Sequence, residues 1–184
     1  MAPRKEQQIF QATLELLAAK GYEGLTVEGV AERSGVNKTT IYRWWPSKAA
    51  LLAAALVEAD LLTMEPPDTG GLRGDLEALV EGVAALLTRP PAADVAVAAL
   101  GAAVHHPELA AATRGFFADR FAREEAVFDR ARRRGELSAE ADPMLIVDLL
   151  AGAVWLRAVF RALPLDKDFA ARAVSAVLDG SLAR

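Results

Sequence analysis

An all-α fold is predicted for this chain of 184 residues, on three observations. Apolar residues recur at three- and four-residue spacing through most of its length. No segment alternates apolar and polar residues as a half-buried strand would. Clusters of Gly and Pro cut the helical pattern into about nine segments, with no internal repeat.

The first segment, "EQQIFQATLELLAAK", places Ile9, Ala12, Leu16 and Ala19 on one face, and Gly21 follows as a C-cap. Thr26 stands before "VEGVAERSG" as an N-cap, and Val27, Val30 and Ala31 form the buried face of that second helix. Gly35 ends it. Asn37 opens a short third helix over about residues 38–44, limited by Pro46. Ser47 caps a longer fourth helix, "SKAALLAAALVEADLL".

"MEPPDTGGLRGD" then breaks the pattern, because Pro-Pro and Gly-Gly cannot continue a helix. "DLEALVEGVAALLT" is amphipathic, and "RPPAAD" ends it. "VAVAALGAAV" is apolar nearly all round and is expected to be buried. After "HHPE" a long helix runs from Glu108 to Arg134, closed by Gly135. "DPMLIVDLLAGAVWLRAVFRAL" and "DKDFAARAVSAVLDGSL" make the last two helices, separated by Pro164.

Composition narrows the function. Hydrophobic residues make up 53% and charged residues 25%, enough apolar material for a core. Cysteine is absent, which removes disulfides and thiolate metal sites. The start "MAPRKEQQIF" lacks the apolar run of a secretory signal, and no stretch reaches ~18 uninterrupted apolar residues. A cytoplasmic protein without a membrane partner is expected. Net charge is −4, but residues 1–50 hold seven Lys/Arg against five Glu, so a net +2 faces −6 in the remainder. A polyanion partner would therefore meet the N-terminal part.

Residues 26–45 read as a helix-turn-helix, with a first helix near Val27–Arg33, a turn at "SGVN" and a second helix from Lys38. Gly35 suits a position of positive φ, and Val36 pins the turn to the core. In this motif the second helix enters the major groove, with its first residues facing base edges. Thr39 and Thr40 are short enough to let the backbone approach, and Lys38 and Arg43 are long donors. Ile41 and Trp45, four apart, point backward and seat the helix. Tyr42 can offer its hydroxyl to a phosphate. Trp44 either faces the sugar-phosphate backbone or is buried. Lys48 stands in the first turn of the next helix, where its ammonium and the free N–H groups would face a phosphate together.

"GYEGLTVEGVAERSGVNKTTIYRWWPSKAALL" resembles the DNA-binding signature of the TetR (tetracycline repressor) family, across about residues 5–60. The landmarks are Gly21, Thr26, Val27, Val30, Ala31, Gly35, Val36, Ile41, Tyr42, Trp45, Lys48 and Leu51. Thr39 stands where many members have glycine, and Trp44–Trp45 where His or Tyr followed by Phe is commoner. The resemblance implies a three-helix DNA-binding domain, set at residues 1–48, on a helical ligand-binding and dimerisation domain at 49–184. It implies a homodimer on a palindromic operator, released when a small molecule binds. By position, Thr26, Thr39, Tyr42 and Lys48 would meet phosphates, and Lys38, Thr40 and Arg43 would lie nearest the bases.

Other segments receive plainer readings. The arginines of "RARRRGEL" suit a helix C-terminus before its Gly cap. His105 and His106 are adjacent and diverge by about 100° on a helix, so no metal or cofactor is expected. Phe116, Phe117, Phe121 and Phe128 are core by default. Because such a pocket is built from core positions, its expected lining is Leu86, Leu100, Val104, His105, Phe117, Phe121 and Trp155. The alanine-rich stretches suggest a hydrophobic or amphipathic effector. Two small-residue stripes, Leu149, Gly152, Ala153, Leu156 and Phe160, then Phe169, Ala173, Ala176 and Val177, are the expected dimer interface. No convergent polar constellation or phosphate loop suggests an enzyme. The rival is an architectural DNA binder without operator preference or effector.

Overall fold

The computed structural model describes residues 5–180. Among them are nine α-helices and no strand. They are α1 Glu6–Gly24, α2 Val27–Ser34, α3 Lys38–Trp44, α4 Lys48–Glu58, α5 Leu72–Thr88, α6 Ala92–Ala103, α7 Pro107–Arg134, α8 Pro143–Val154 and α9 Phe169–Leu178. A 3-10 turn follows α4 at Asp60–Leu62, and a π-helical segment follows α8 at Trp155–Phe160. The all-α class and the helix number match the sequence expectation. Two compact units form, Met1–Thr63 with Pro90–Asp119 and Met64–Arg89 with Arg120–Arg184. The expected cut after residue 48 is drawn by role, whereas compactness groups α4, α6 and the first part of α7 with the helix-turn-helix.

In the first unit α1 packs on α2, α4 and α6. Ile9, Phe10, Leu14 and Leu17 of α1 are fully buried, with Val30, Ile41, Leu51, Leu52 and Val95. Each such side chain is worth roughly 1.5–3 kcal/mol of transfer free energy. Thr13 is buried among them, and its hydroxyl donates to the Ile9 carbonyl at 2.8 Å. Ala19 is exposed, contrary to expectation. Cover from three helices makes the buried arc of α1 wide, but Ala19 falls just past its edge. Gly21 does leave the helical region (φ 67°), where only glycine is unstrained, and a final turn to Gly24 follows.

α6 is not buried all round. Its Ala92, Val95 and Ala99 face is covered, while Val97 and Val104 are exposed. Within this unit α1 is its main neighbour, and one helix covers only one stripe.

In the second unit α5 packs on α8 and α9, and α8 on α9. Leu76, Val80, Phe128, Leu150, Val154 and Val174 fill the core. α5 begins at Leu72, three residues earlier than its periodicity suggests. The Glu136 carboxylate accepts the Leu72 N–H at 2.6 Å, and buried Asp75 accepts from the Thr69 N–H at 2.6 Å and hydroxyl at 2.8 Å. The arginines at the end of α7 do more than complement a dipole. Arg130 reaches the Pro67 carbonyl and lies 3.4 Å from Asp68, and Arg134 pairs with Glu136 at 2.8 Å and Asp75 at 3.6 Å. They tie the end of α7 to the start of α5.

Asp142 caps α8, accepting from the N–H groups of Met144 at 2.9 Å and Leu145 at 3.2 Å, with Pro143 at the first helical position. The helix was expected to run on regularly; it widens into the π segment instead. Pro143–Phe160 is 18 residues, long and apolar enough by length and composition to cross a membrane, although Asp148 and Arg157 interrupt it. Residues 181 and 182, expected in the last helix, lie outside the described residues.

Candidate nucleic-acid interface

α3 has only seven residues, too few to hold a helix on propensity alone. Its ends are fixed by local hydrogen bonds. The Thr26 hydroxyl accepts from the Gly29 N–H at 3.1 Å at the start of α2. Gly35 takes the left-handed conformation (φ 64°), and Val36 N–H donates to the Ala31 carbonyl at 3.2 Å, closing α2. The Asn37 carboxamide then accepts from Thr39 N–H at 2.8 Å, opening α3. Arg33 donates to Glu15, binding α2 to α1 and holding the Glu15 carboxyl below its usual range.

Packing fixes the rotation of α3. Ile41 and Trp45 are buried, and the Trp45 ring meets the Phe10 ring edge-on at 5.3 Å between centroids. Lys38, Thr39, Tyr42 and Arg43, at spacing one, four and five, are consequently all exposed on the opposite side. Thr40 is half-buried at the flank. Tyr42 and Trp44 are each 43% exposed, an unusual display of large rings beside cations. Lys38 lies 3.9 Å from Glu28, a long and solvated pair that costs little to break. Thr26 keeps its hydroxyl hydrogen available, since the cap uses it only as acceptor.

Lys48 departs from the expectation. Its ammonium does not face outward: it donates to the Tyr22 carbonyl at 2.9 Å and lies 4.2 Å from the centre of the Tyr22 ring. What α4 presents at its start is backbone N–H groups, with Ser47 accepting only from Ala50 at 3.1 Å. The same tyrosine collects further partners that sequence reading missed. Its hydroxyl donates to Glu108 at 3.1 Å, its ring lies 4.6 Å from the His106 ring, and His106 lies 3.0 Å from Glu23. Burial pushes the Tyr22 hydroxyl up to about 12, so it stays a donor. No spacing rule joins residues 22, 48 and 106, so no signal could have found this cluster.

The helix-turn-helix matches a family profile described as bacterial regulatory proteins, tetR family, over residues 9–55. A second profile, tetracyclin repressor-like C-terminal domain, matches residues 66–177. The chain belongs to the TetR family. An uncharacterized HTH-type transcriptional regulator of Mycobacterium tuberculosis is 34% identical over 181 residues, 98% of this chain and 89% of that protein. The DNA-binding transcriptional repressor TetR of Mycobacteroides abscessus is 34% identical over 172 residues, 92% of this chain and 90% of its own length. Among solved structures, the TetR family transcription regulator SCO0332 superimposes with a TM-score of 0.80 at 36% identity, covering 98% of this chain and all of that one. The regulator FadR from Bacillus subtilis, in complex with stearoyl-CoA, shares the TetR fold at a TM-score of 0.69 and 18% identity, over 97% of this chain and all of its own. This chain is thus a DNA-binding transcriptional regulator of the TetR family.

The expected pocket residues of this TetR-family chain divide between the units. Leu100 and Phe117 are half-buried in the first, and Leu86, Phe121 and Trp155 in the second. Val104 is 80% exposed and His105 is also exposed, because α6 ends at Ala103 and turns them outward. Of the two histidines, His106 is the engaged one. In the expected interface, Leu149, Gly152, Leu156 and Ala176 are exposed and Phe160 is 75% exposed; Ala153, Phe169, Ala173 and Val177 are half-buried. The Phe169 ring already receives the Arg157 guanidinium at 5.7 Å.

Proposed function

We propose that this chain is a ligand-released repressor that binds a palindromic operator as a homodimer. Residues 1–48 would hold the DNA, and 49–184 the effector and the two-fold axis. The observation that carries the reading is the outward face of α3: Lys38, Thr39, Tyr42 and Arg43 stand free of the core while Ile41 and Trp45 anchor the helix from behind. A short rigid helix with long donors on one side fits a major groove. Thr26, Thr39, Tyr42 and Trp44 serve the phosphate backbone, with the N-terminal N–H groups of α4, and Lys38, Thr40 and Arg43 read bases.

The homodimer is supported by the uncovered apolar stripe Leu145, Leu149, Leu156 and Phe160, since exposed leucines in a row favour a partner. A two-fold axis through it would mirror a palindrome. The repressor sense rests on likeness to the Mycobacteroides abscessus repressor. A hydrophobic or amphipathic effector would favour the chain geometry in which the two α3 helices are mis-spaced, shifting the equilibrium by no more than its differential affinity.

Selection of bound DNA from a random pool, followed by competition against bulk DNA, tests the reading. A pseudo-palindrome should emerge, and Arg43→Ala or Lys38→Ala should relax its preference at one position by about 1–3 kcal/mol. Recovery of no common site would favour an architectural binder.

A further inference from the structure

The middle of α7 carries a buried carboxylate with one oxygen that receives no hydrogen bond. Glu124 is only 5% exposed, and its Oε2 has no hydrogen-bond partner among the described residues. One turn away on the same helix stand Phe121 on one side and fully buried Val127 and Phe128 on the other. Arg120 exerts an opposing field, yet desolvation dominates and raises the carboxyl to about 6, leaving it mainly ionised at neutral pH.

Comparison within the chain isolates the case. Buried Asp75 has Thr69 as a double donor on one oxygen and Arg134 at 3.6 Å from the other. Arg130 Nε lies 3.4 Å from Asp68. Ser34 Oγ also lacks a partner, but a hydroxyl is neutral. Asp75 Oδ2 and Arg130 Nε also lack hydrogen-bond partners, but each has an opposite charge within 4 Å. Among the described residues Glu124 is the buried carboxylate whose unpartnered oxygen has neither a donor nor such a pair, an arrangement folds normally avoid.

We propose that Glu124 is the polar anchor of the effector site and that the effector is an amphipathic molecule bearing a protonated amine, which donates to Oε2. This rests on the ligand-release reading above and adds the chemical class. A protonated amine brings both what the site lacks, a donor and a positive charge. A quaternary ammonium brings charge without a donor, a hydroxyl brings a donor without charge, and a carboxylate would be repelled.

Calorimetric titration of the full chain with four probes of equal chain length, below their micelle concentrations, tests this order. Dodecylamine should bind tightest, dodecyltrimethylammonium and dodecan-1-ol more weakly, and dodecanoate at least about tenfold more weakly than the amine. Glu124→Gln should abolish the amine's advantage, and Glu124→Asp should keep the order at reduced affinity. Dodecanoate binding as well as dodecylamine, no probe binding at all, or an unchanged amine preference in Glu124→Gln would overturn the anchor. Operator release is measured in parallel. Glu124-dependent amine binding that leaves DNA bound refutes ligand release and spares the anchor; dodecanoate releasing DNA regardless of residue 124 does the reverse.

Discussion

Lys48 Nζ sits 4.2 Å from the centre of the Tyr22 ring and donates to that residue's carbonyl at 2.9 Å. The pair joins the first turn of α4 to the last turn of α1. A cation there answers a carbonyl at the end of a helix and gains from the ring face as well. The contact holds the start of α4 against the end of α1, and we infer that Lys48 would serve DNA binding through this positioning.

Lys48→Met is accordingly expected to cost about 1–2 kcal/mol of stability, read from urea midpoints. Operator affinity should fall alike for all site variants, while the slope of log K against log salt stays unchanged. A slope shallower by about 1 would instead put the ammonium on a phosphate.

Trp44 and Trp45 are neighbours with opposite surroundings, one 43% exposed and the other buried on Phe10. Trp45→Ala should destabilise the first unit by about 3–5 kcal/mol and abolish DNA binding with it. Trp44→Ala should leave stability within about 0.5 kcal/mol but weaken operator binding. Thermal melts and gel shifts on the two variants decide; a large loss of stability at Trp44 would mean its ring is structural.

Glu124 makes stability depend on pH in a definite direction. The ordinary carboxyl value is 4.5 and the folded one about 6, so the folded chain holds the proton more tightly. That contribution is complete below 4.5 and is lost as pH rises through about 6. Glu124→Gln should then gain about 1–2 kcal/mol over the parent at pH 7.5 and almost nothing near pH 4.5. Melts of both proteins at the two pH values check it, and an equal gain at both would show that the charge is not the cause.

The exposed stripe on α8 and its π-helical continuation makes a prediction about assembly. Leu149→Glu combined with Leu156→Glu should yield a folded monomer in sedimentation, because neither side chain supports its own unit's core. Operator affinity should collapse together with dimerisation. A double variant that sediments as the parent would move the two-fold axis elsewhere.

Local chemistry was readable from the chain alone. Thr26, Asn37 and Ser47 each accept from an N–H two or three residues on, and Gly35 adopts the left-handed turn expected of it. Ile41 and Trp45 face inward because a four-residue step on a helix sets their direction before any neighbour arrives. These features span a handful of residues, so the order of side chains suffices to specify them, and the family signature is made of the same short-range rules. Other features needed a second segment to come near. Tyr22 meets Lys48 and His106 across 26 and 84 residues, Glu136 supports the start of α5 across 64, and the bare side of α6 follows from having α1 as its main neighbour in that unit. Glu124 reads in sequence as one more polar position on a charged helix; only the closing of apolar residues around it strips its solvent and leaves an oxygen unanswered. Burial is a property of what approaches, and the spacing of residues along one helix does not contain it.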